Sequence, residues 1–254
     1  YQRKVAGLHN TLFYDAIKHP NRDQYFGGLQ DNGTMISGLD PNSESFWTEP
    51  ISGDGFDVVW DYFNGDRLIG GWYNQNLMLS TNGGTSFSYV NFEGAGKGPF
   101  RNVIASSQKA RDLLALPSNG RIYVSYDFTS NWTGAVPEGR GNNGLSSRGV
   151  VRISESNPNI IWAGDWFANS DGALLSTDMG SSFKNAYSGP FTSSMGAYVT
   201  GIGTHPTEDS TAFYTFSVSG KPHILRTKDL GQTFEDITGT GSNFPDVATY
   251  CVKV

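Results

Sequence analysis

Cysteine is nearly absent from this sequence of 254 residues, because Cys251 is the only one. A single cysteine excludes an internal disulfide framework, although it does not assign a redox compartment. No run approaches the roughly 18 to 20 apolar residues that cross a bilayer, so we expect no transmembrane segment. The chain opens on Tyr1 without a starting Met, and we expect a piece of a longer polypeptide that carries further domains.

Charged residues are also scarce, at 17% of the chain, and the formal net charge is −6. No basic tract occurs, which argues against a nucleic-acid partner. The sequence lacks the His-Glu-x-x-His and Gly-x-Ser-x-Gly motifs, and its Asp-rich loops lack the EF-hand spacing that would support Ca²⁺. We therefore predict no metal and no other cofactor, although the Asp-rich loops could hold Ca²⁺ through oxygen ligands without any motif to support it. Glycine (32 residues) and aromatic residues (13%) are abundant, which is typical of short strands joined by tight turns.

One octapeptide recurs along the chain, and its third copy reads Ser-Thr-Asp-Met-Gly-Ser-Ser-Phe over residues 176–183. Good copies also begin at residues 80 and 227, and a weaker one begins at residue 125, where Thr129 stands in place of glycine. The same period places a degenerate copy near residue 37. A regular period of this size indicates a repeat architecture.

The octapeptide has the chemistry of a tight turn. Asp or Asn side chains cap nearby backbone N–H groups, and glycine adopts positive φ cheaply. The aromatic residue at the eighth position is expected to be largely buried, and the apolar run before each copy predicts that the octapeptide closes a β-hairpin. We assign this structural role to Ser80, Asn82, Gly84 and Phe87, to Ser125, Asp127 and Trp132, to Ser176, Asp178, Gly180 and Phe183, and to Thr227, Asp229, Gly231 and Phe234.

The octapeptide resembles the Asp-box of β-propellers, and this resemblance implies an all-β protein, a β-propeller of four-stranded blades in which the octapeptide joins the third and fourth strands. The four strands of a blade are called A to D in chain order. Residues 1–254 are predicted to form a single propeller domain, with blades at approximately 10–52, 53–97, 98–146, 147–196 and 197–243 and a partial blade at 244–254. Five blades and one strand indicate part of a larger propeller. Residues 247–254 are expected to pair with the N-terminal blade or to project as an incomplete sixth blade.

The octapeptide resembles the Asp-box, or BNR repeat, S/T-x-D-x-G-x-x-W/F. Two further segments, Gly-Gly-Leu-Gln-Asp-Asn-Gly-Thr at 27–34 and Phe-Pro-Asp-Val at 244–247, sharpen this resemblance. Together they are similar to sortilin (VPS10)-like and xyloglucanase-like propellers, most of all to Bacteroidetes surface or secreted proteins exported by the type IX secretion system. The resemblance implies a secreted or cell-surface location.

A candidate binding face follows from the predicted blade topology. The octapeptide turns lie on the same face as the A–B turns, so the B–C and D–A loops share the opposite face, where propellers bind ligands. Aromatic rings there would stack on a sugar, while carboxylates and amides would hydrogen-bond its hydroxyls. The alternative is that these residues cap turns and pack between blades. The predicted ligand-binding residues are Trp72, Tyr73, Asn74, Trp166, Asp31 and Asp165.

Two functions from different classes remain open at this point. The favoured one is a non-catalytic secreted or surface module that binds a glycan or a protein, because no catalytic pair can be identified. The alternative is a glycoside hydrolase of the xyloglucanase type, for which Asp31 and Asp165 are the best carboxylate candidates. Hydrolysis would require the two carboxyl groups to lie roughly 5 to 9.5 Å apart.

Overall fold

The structure, a computed structural model, describes residues 12–140, 145–146, 148–167, 172–186, 196–239 and 244–254. Every regular element in these residues is a β-strand, and the strands form five antiparallel sheets. The described part holds no helix, and therefore none with the length and apolar character to cross a membrane. A central channel is lined by the A strand of each sheet. This architecture is a β-propeller and confirms the predicted fold.

The first three sheets each contain four strands. The first holds β1 (Asp15–Lys18), β2 (Tyr25–Leu29), β3 (Gly33–Ser37) and β4 (Trp47–Ile51). The second holds β5 (Val59–Trp60), β6 (Leu68–Trp72), β7 (Asn76–Ser80) and β8 (Ser88–Tyr89). The third holds β9 (Ala105–Ser106), β10 (Leu114–Ser118), β11 (Arg121–Ser125) and β12 (Thr133–Ala135).

The fourth and fifth sheets share one connection. The fourth repeat supplies β13 (Val150–Ile153), β14 (Ile161–Gly164), β15 (Trp166–Phe167), β16 (Ala173–Ser176) and β17 (Lys184–Asn185). The fifth supplies β18 (Ala197–Thr204), β19 (Ala212–Phe216), β20 (Ile224–Thr227) and β21 (Glu235–Asp236). Strand β15 leaves its own repeat and pairs with β18, with Trp166 opposite Tyr198. Otherwise each sheet is a simple antiparallel meander in chain order.

Each good octapeptide joins strands C and D through the same local hydrogen bonds. In the third copy the Ser176 hydroxyl donates to Asp178 (2.7 Å) and accepts from the Gly180 amide (2.8 Å). The Asp178 carboxylate also accepts from the Ser182 amide (3.0 Å). The other three copies repeat these three bonds, with Asn82 replacing aspartate in the first. The structural role predicted for the octapeptide therefore has a physical basis in one buried hydroxyl and one acceptor side chain.

The fourth octapeptide residue ties the hairpin to the A–B turn of its own blade. The amide of Met179 donates to the Asn159 carbonyl (2.9 Å), and the other three copies make the same bond. In the first sheet the Asp40 amide donates to the Asp23 carbonyl (2.7 Å) in the same way. Ser37, at the position of the first octapeptide residue, bonds instead to the Tyr25 amide and the Gly38 carbonyl. The degenerate copy thus keeps its place in the period but not its internal network.

Four apolar clusters lie between consecutive sheets and hold them together. Each combines side chains from one sheet with those of the next, for example Phe26 with Trp60, and Trp162 with Tyr214. Their burial supplies the main attraction between blades. The octapeptide aromatics contribute unequally to these clusters.

The prediction that all four octapeptide aromatics are largely buried was right for two of them. Phe183 and Phe234 are buried, with 3% and 6% exposure. Phe87 and Trp132 are only half-buried at the margins of their clusters. In the octapeptide copy that ends at Trp132, Phe128 is buried at 4% exposure in the same apolar cluster, and Trp132 packs against the outside of that cluster.

Small residues at the end of strand B let neighbouring blades approach closely. A Cβ atom on Gly28 would lie 2.0 Å from the carbonyl oxygen of Phe56, just before the next A strand. A Cβ atom on Gly164 would lie 2.8 Å from the side chain of Val199 in the next blade. These contacts fix the B–C end of each blade against the following one and make that face rigid.

Residues 247–254 form no strand, which differs from the single strand expected there. They run beside β18, where the Thr200 hydroxyl donates to the Thr249 carbonyl, and the Thr249 amide donates to the carbonyl of Phe216 at the end of β19 (3.2 Å). Gly201 and Gly203 make room for them, because a Cβ atom on Gly201 would lie 2.7 Å from the carbonyl oxygen of Tyr250. Within the described residues the partial sixth blade has no second strand, so residues 247–254 have no neighbouring strand of their own blade with which to form a β-ladder. The predicted blade and domain boundaries stay predictions, and residues 1–11 lie outside the described part.

Candidate functional site

The face opposite the octapeptides carries a row of four contacting aromatic rings, Tyr14, Phe56, Phe100 and Tyr73, called here the aromatic row. Tyr14 meets Phe56 edge-on at 5.2 Å, and Phe56 meets Phe100 at 5.5 Å between centroids. Phe100 and Tyr73 are stacked at 6.0 Å with only 4° between their planes. Tyr14, Phe100 and Tyr73 are 45%, 54% and 43% exposed, whereas Phe56 is buried beneath them. The row therefore offers exposed aromatic rings on the first three blades, and only Phe100 and Tyr73 among them have parallel ring planes.

One side-chain hydrogen bond and one backbone hydrogen bond hold the aromatic row in place. The Tyr14 hydroxyl donates to Gln30 Oε1 (2.8 Å) in the B–C turn of the first blade. The Asn74 amide donates to the Pro99 carbonyl (2.9 Å), which ties the turn carrying Tyr73 to the loop carrying Phe100. The stacked pair is thus set by backbone contacts rather than by ring packing alone.

The second B–C turn is anchored by a buried glutamine. Gln75 is fully buried and takes φ 59°, and its side-chain amide donates to the carbonyls of Val103 (2.7 Å) and Pro117 (3.1 Å). Its own backbone amide donates to Asn102 Oδ1 (2.8 Å) in the next blade. This anchoring of a turn from the neighbouring blade could not be foreseen from the turn sequence.

The predicted ligand-binding residues fall at three separate places. Tyr73 belongs to the aromatic row, and Asn74 is half-buried beside it. Trp72 is half-buried, packs on the first interblade cluster and lies tilted against Tyr89 at 6.4 Å. Trp166 is 42% exposed and lies in the fourth repeat, away from the first three blades.

Trp166 forms a second, smaller aromatic surface. Its ring meets Tyr198 edge-on at 4.7 Å, and the guanidinium of Arg148 lies 4.7 Å from the centre of the Tyr198 ring. A cation over an aromatic face is attracted by the ring quadrupole, which orders the three side chains. This surface lies between the fourth and fifth blades.

The two predicted carboxylates differ in their surroundings. Asp31 is exposed at φ 63° in the B–C turn, and its amide donates to Asp54 (2.8 Å). Asp165 is buried, accepts from Arg140 Nη1 (2.9 Å) and is also bonded by the Ser146 amide and hydroxyl. They belong to the first and fourth blades and are not bonded to each other. Both oxygens of Asp165 are therefore already engaged within the protein.

The channel along the propeller axis has a volume of about 670 Å³ and opens beside the aromatic row, since Tyr14 lines both. Asp15, Asp57, Arg101 and Arg152 also line it. Asp15 accepts hydrogen bonds from its neighbour Ala16 and from the Val58 amide (3.1 Å) of the second blade. In the described residues no group of three or more His, Cys, Asp or Glu side chains is arranged to hold a metal ion.

Asp57 is the titratable group that stands out in this channel. Desolvation raises the pKa of its carboxyl to about 6, and the charge of Asp15 acts in the same direction. Arg101, Arg152 and a hydrogen bond from the Ile104 amide oppose this rise only in part. Asp57 therefore changes its charge within the physiological range, as burial of a carboxyl predicts.

Sequence reasoning missed Tyr14, Phe56, Phe100, Asp57 and Arg101. A signal for the first three was present: an aromatic residue recurs at positions 14, 56 and 100, close to the octapeptide period and shortly before each A strand. Asp57 and Arg101 form a charged pair with the same period, because they directly follow Phe56 and Phe100. Its significance depends on desolvation inside the channel, which only the assembled ring creates.

No protein-family model and no curated protein matches the sequence, but solved structures match the fold. An ancestral GH74 enzyme superposes with a TM-score of 0.69 and 17% identity over 92% of this chain and 32% of its own. The GH74 xyloglucanase from Xanthomonas campestris gives 0.61 and 15%, over 93% of this chain and 32% of its own. The extracellular domain of a putative one-component system from B. thetaiotaomicron gives 0.59 and 14%, over 93% and 29%.

These similarities establish the propeller fold, and a shared fold does not by itself carry an activity. The chain spans about a third of the length of each of these structures. Two are described as GH74 enzymes, whereas the third is described as the extracellular domain of a putative one-component system. The function must accordingly be argued from the site.

Proposed function

We propose that this chain is a non-catalytic propeller module that binds a glycan along the aromatic row. The observation that carries the proposal is the exposed, parallel pair Tyr73 and Phe100, with Tyr14 exposed on the other side of Phe56. Pyranose rings have apolar faces of C–H groups that pack on flat aromatic rings. The pair is held by backbone hydrogen bonds before any ligand arrives, which lowers the entropy cost of binding.

Polar groups suited to sugar hydroxyls border the aromatic row. Gln30, Asp31 and Asn32 form the adjacent B–C turn, and Asp31 and Asn32 are exposed. Asn74 lies at the other end of the row. Amide and carboxylate side chains supply both donors and acceptors at fixed spacing, as specific hydroxyl recognition requires. Asp31 and Asn74 are therefore kept as proposed ligand-binding residues, together with Tyr73.

The experiment is a glycan array probed with the purified chain, followed by titration of the best ligand against variants. Tyr73→Ala with Phe100→Ala should weaken binding by at least about tenfold, because the stacking surface is removed. Tyr126→Ala is the matched control, since this tyrosine is similarly exposed but lies in the second octapeptide, on the opposite face. Thermal melting verifies that each variant is folded.

Two outcomes would contradict the proposal. Unchanged glycan affinity in the folded double variant would move the site away from the aromatic row, with Trp166 and Tyr198 as the next surface to alter. Absence of any glycan ligand, together with a protein partner lost in the double variant, would make the row a protein-binding surface.

A second candidate function is glycoside hydrolysis, favoured by the carboxyl pair Asp57 and Asp15 in the channel. Desolvation raises the pKa of the Asp57 carboxyl to about 6, and Asp15 lies in the same channel, where it accepts hydrogen bonds from the Ala16 and Val58 amides. A carboxyl with a raised pKa beside a second carboxyl group suits a general acid and its partner. Release of reducing ends from oligosaccharides by the purified chain, abolished in Asp57→Asn, would establish it. The pair Asp31 and Asp165 is the weaker choice, because Asp165 is held by Arg140 and Ser146.

We further propose a secreted or cell-surface location, as in the BNR, sortilin-like and type IX-exported proteins that the octapeptide and residues 27–34 resemble. Labelling of intact cells of the source organism with an antibody against this chain tests it. Signal only after cell lysis would contradict it.

A further inference from the structure

The channel carries an excess of positive charge in a protein whose formal net charge is −6. Its acidic lining residues are three, Asp15, Asp57 and Glu155. Its cationic lining residues are four, Arg101, Lys109, Arg152 and Lys253. A narrow channel with low-dielectric walls concentrates the field of such groups, so a local excess of cations attracts an anionic ligand.

Several of these charges already have partners near the octapeptide end of the channel. Lys253 pairs with Glu155 at 2.8 Å, and Lys109 donates to the Ser156 carbonyl (2.9 Å). Asp15 is bonded to backbone amides. The charges that remain centre on Asp57, which interacts with both Arg101 and Arg152.

We propose that Arg101, Arg152 and Asp57 form a subsite for the carboxylate of an acidic sugar, a hexuronate, whose glycan lies along the aromatic row. This inference rests on the proposed glycan-binding function and names the class of sugar. Tyr14 lines the channel and belongs to the row, so a chain lying on the row leads into the subsite. A volume of about 670 Å³ lies within the range of about 300 to 1,000 Å³ that small-molecule sites occupy.

Each member of the subsite has a distinct part in holding a carboxylate. A guanidinium presents a planar pair of N–H donors that matches the two oxygens of a carboxylate. Arg152 is exposed to the channel and is positioned by a bond from Nε to the Ile202 carbonyl (3.3 Å). Asp57 in its protonated form donates an O–H to the ligand carboxylate, whereas ionised Asp57 repels it.

The subsite therefore takes up a proton when the ligand binds. With a pKa of about 6, Asp57 is about three quarters protonated at pH 5.5 and about 3% protonated at pH 7.5, so uronate affinity should rise by up to about 25-fold on acidification. The sugar carboxylate itself stays ionised over this range, as ordinary carboxylates do. A neutral sugar has no charge for Asp57 to repel and should lack this dependence.

The test compares glucuronate with glucuronamide, its neutral isostere, by titration against the purified chain at pH 5.5 and 7.5. Glucuronate should bind more tightly at pH 5.5, and glucuronamide should bind weakly and equally at both values. Asp57→Asn, which mimics the protonated carboxyl, should bind glucuronate at pH 7.5 as tightly as the unaltered chain does at pH 5.5. Arg101→Gln and Arg152→Gln should each lose about tenfold.

Lys184→Gln is the control, because it removes one exposed positive charge on β17, outside the channel. Equal affinity for glucuronate and glucuronamide, or a pH dependence that survives Asp57→Asn, would overturn the inference. The proposed function would stand if neutral glycans still required Tyr73 and Phe100. Conversely, pH-dependent uronate binding could be unchanged by Tyr73→Ala with Phe100→Ala. That result would support the subsite and would contradict glycan binding along the aromatic row.

Discussion

At the scale of single residues, the same side-chain type serves different purposes in different surroundings. Asp178 is an exposed acceptor within its own turn, Asp165 is a buried partner of Arg140, and Asp57 is a desolvated carboxyl facing a channel. Sequence alone presents all three as aspartates next to turns or strands. Burial and the nearest cation decide which of them is structural.

Asp165 is predicted to stabilise the fold rather than to bind ligand. Asp165→Asn removes the charge that pairs with Arg140 Nη1 at 2.9 Å, and breaking an ion pair of a buried carboxylate in this way typically costs about 3 to 5 kcal/mol. We expect a clear fall in the free energy of unfolding, measured by denaturant titration. Asp31→Asn, at an exposed turn position, is the control and should change stability little. Lost glycan binding in a fully stable Asp165→Asn variant would instead make this carboxylate a ligand group.

At the scale of the hairpin, the octapeptide is stabilised by bonds between residues two and four positions apart. Burial raises the pKa of Asp127, Asp178 and Asp229, but their side-chain and backbone hydrogen bonds outweigh it and hold each pKa below the ordinary value. Carboxylates with a lowered folded pKa stabilise the protein above their unfolded pKa, and that stability is lost as pH falls through the folded value.

Acid should therefore destabilise the propeller through its hairpins. We expect the melting temperature to fall as pH drops from about 5 toward 3, below the ordinary carboxyl pKa. Replacing all three aspartates with Asn should flatten this fall, because the amide oxygen accepts the same amide bonds without titrating, as Asn82 already does in the first copy. An unchanged acid response in the triple variant would place the acid-sensitive groups elsewhere.

At the scale of the whole molecule, the blades are joined side by side through four apolar clusters, and residues 247–254 follow the fifth blade along the channel. Asp246 holds the start of this segment, accepting from the Ser219 hydroxyl (2.6 Å), the Gly220 amide (2.9 Å) and His223 Nε2 (2.9 Å). The segment thereby supplies Tyr250, Cys251 and Val252 to the channel wall.

Gly201→Val should displace this segment from β18. The Cβ atom of the new side chain alone would lie 2.7 Å from the Tyr250 carbonyl oxygen. Because this oxygen belongs to the backbone, the clash cannot be relieved by a side-chain rotation, and the segment itself must move. We expect Cys251, exposed already, to react faster with a thiol reagent, and the melting temperature to fall. Gly38→Ala is the control, since a Cβ atom there meets no other atom within 4 Å and the residue does not have a positive φ. Unchanged thiol reactivity and melting in Gly201→Val would show that the segment does not depend on this contact.

The sequence by itself determined the propeller, the octapeptide hairpins and their place in each blade. Those features depend on hydrogen bonds between residues two to four positions apart and on apolar runs of strand length. The local sequence of each copy is therefore sufficient to specify its hairpin. The degenerate copy near residue 37 shows the limit, because Ser37 keeps the period while the internal hydrogen bonds of the octapeptide are lost. Trp132 and Phe87 show another, since their burial depends on what the neighbouring blade leaves open.

The tertiary structure alone decided which residues meet on the binding face and in the channel. Tyr14, Phe56 and Phe100 come from three blades, and they become one surface only when the blades pack radially. Asp57 becomes unusual only when the packed blades remove water from it and bring Arg101 and Arg152 toward it. A contact between two blades cannot be read from a local sequence pattern, because its two partners lie in different repeats. The distance between them is set by how the blades pack around the axis.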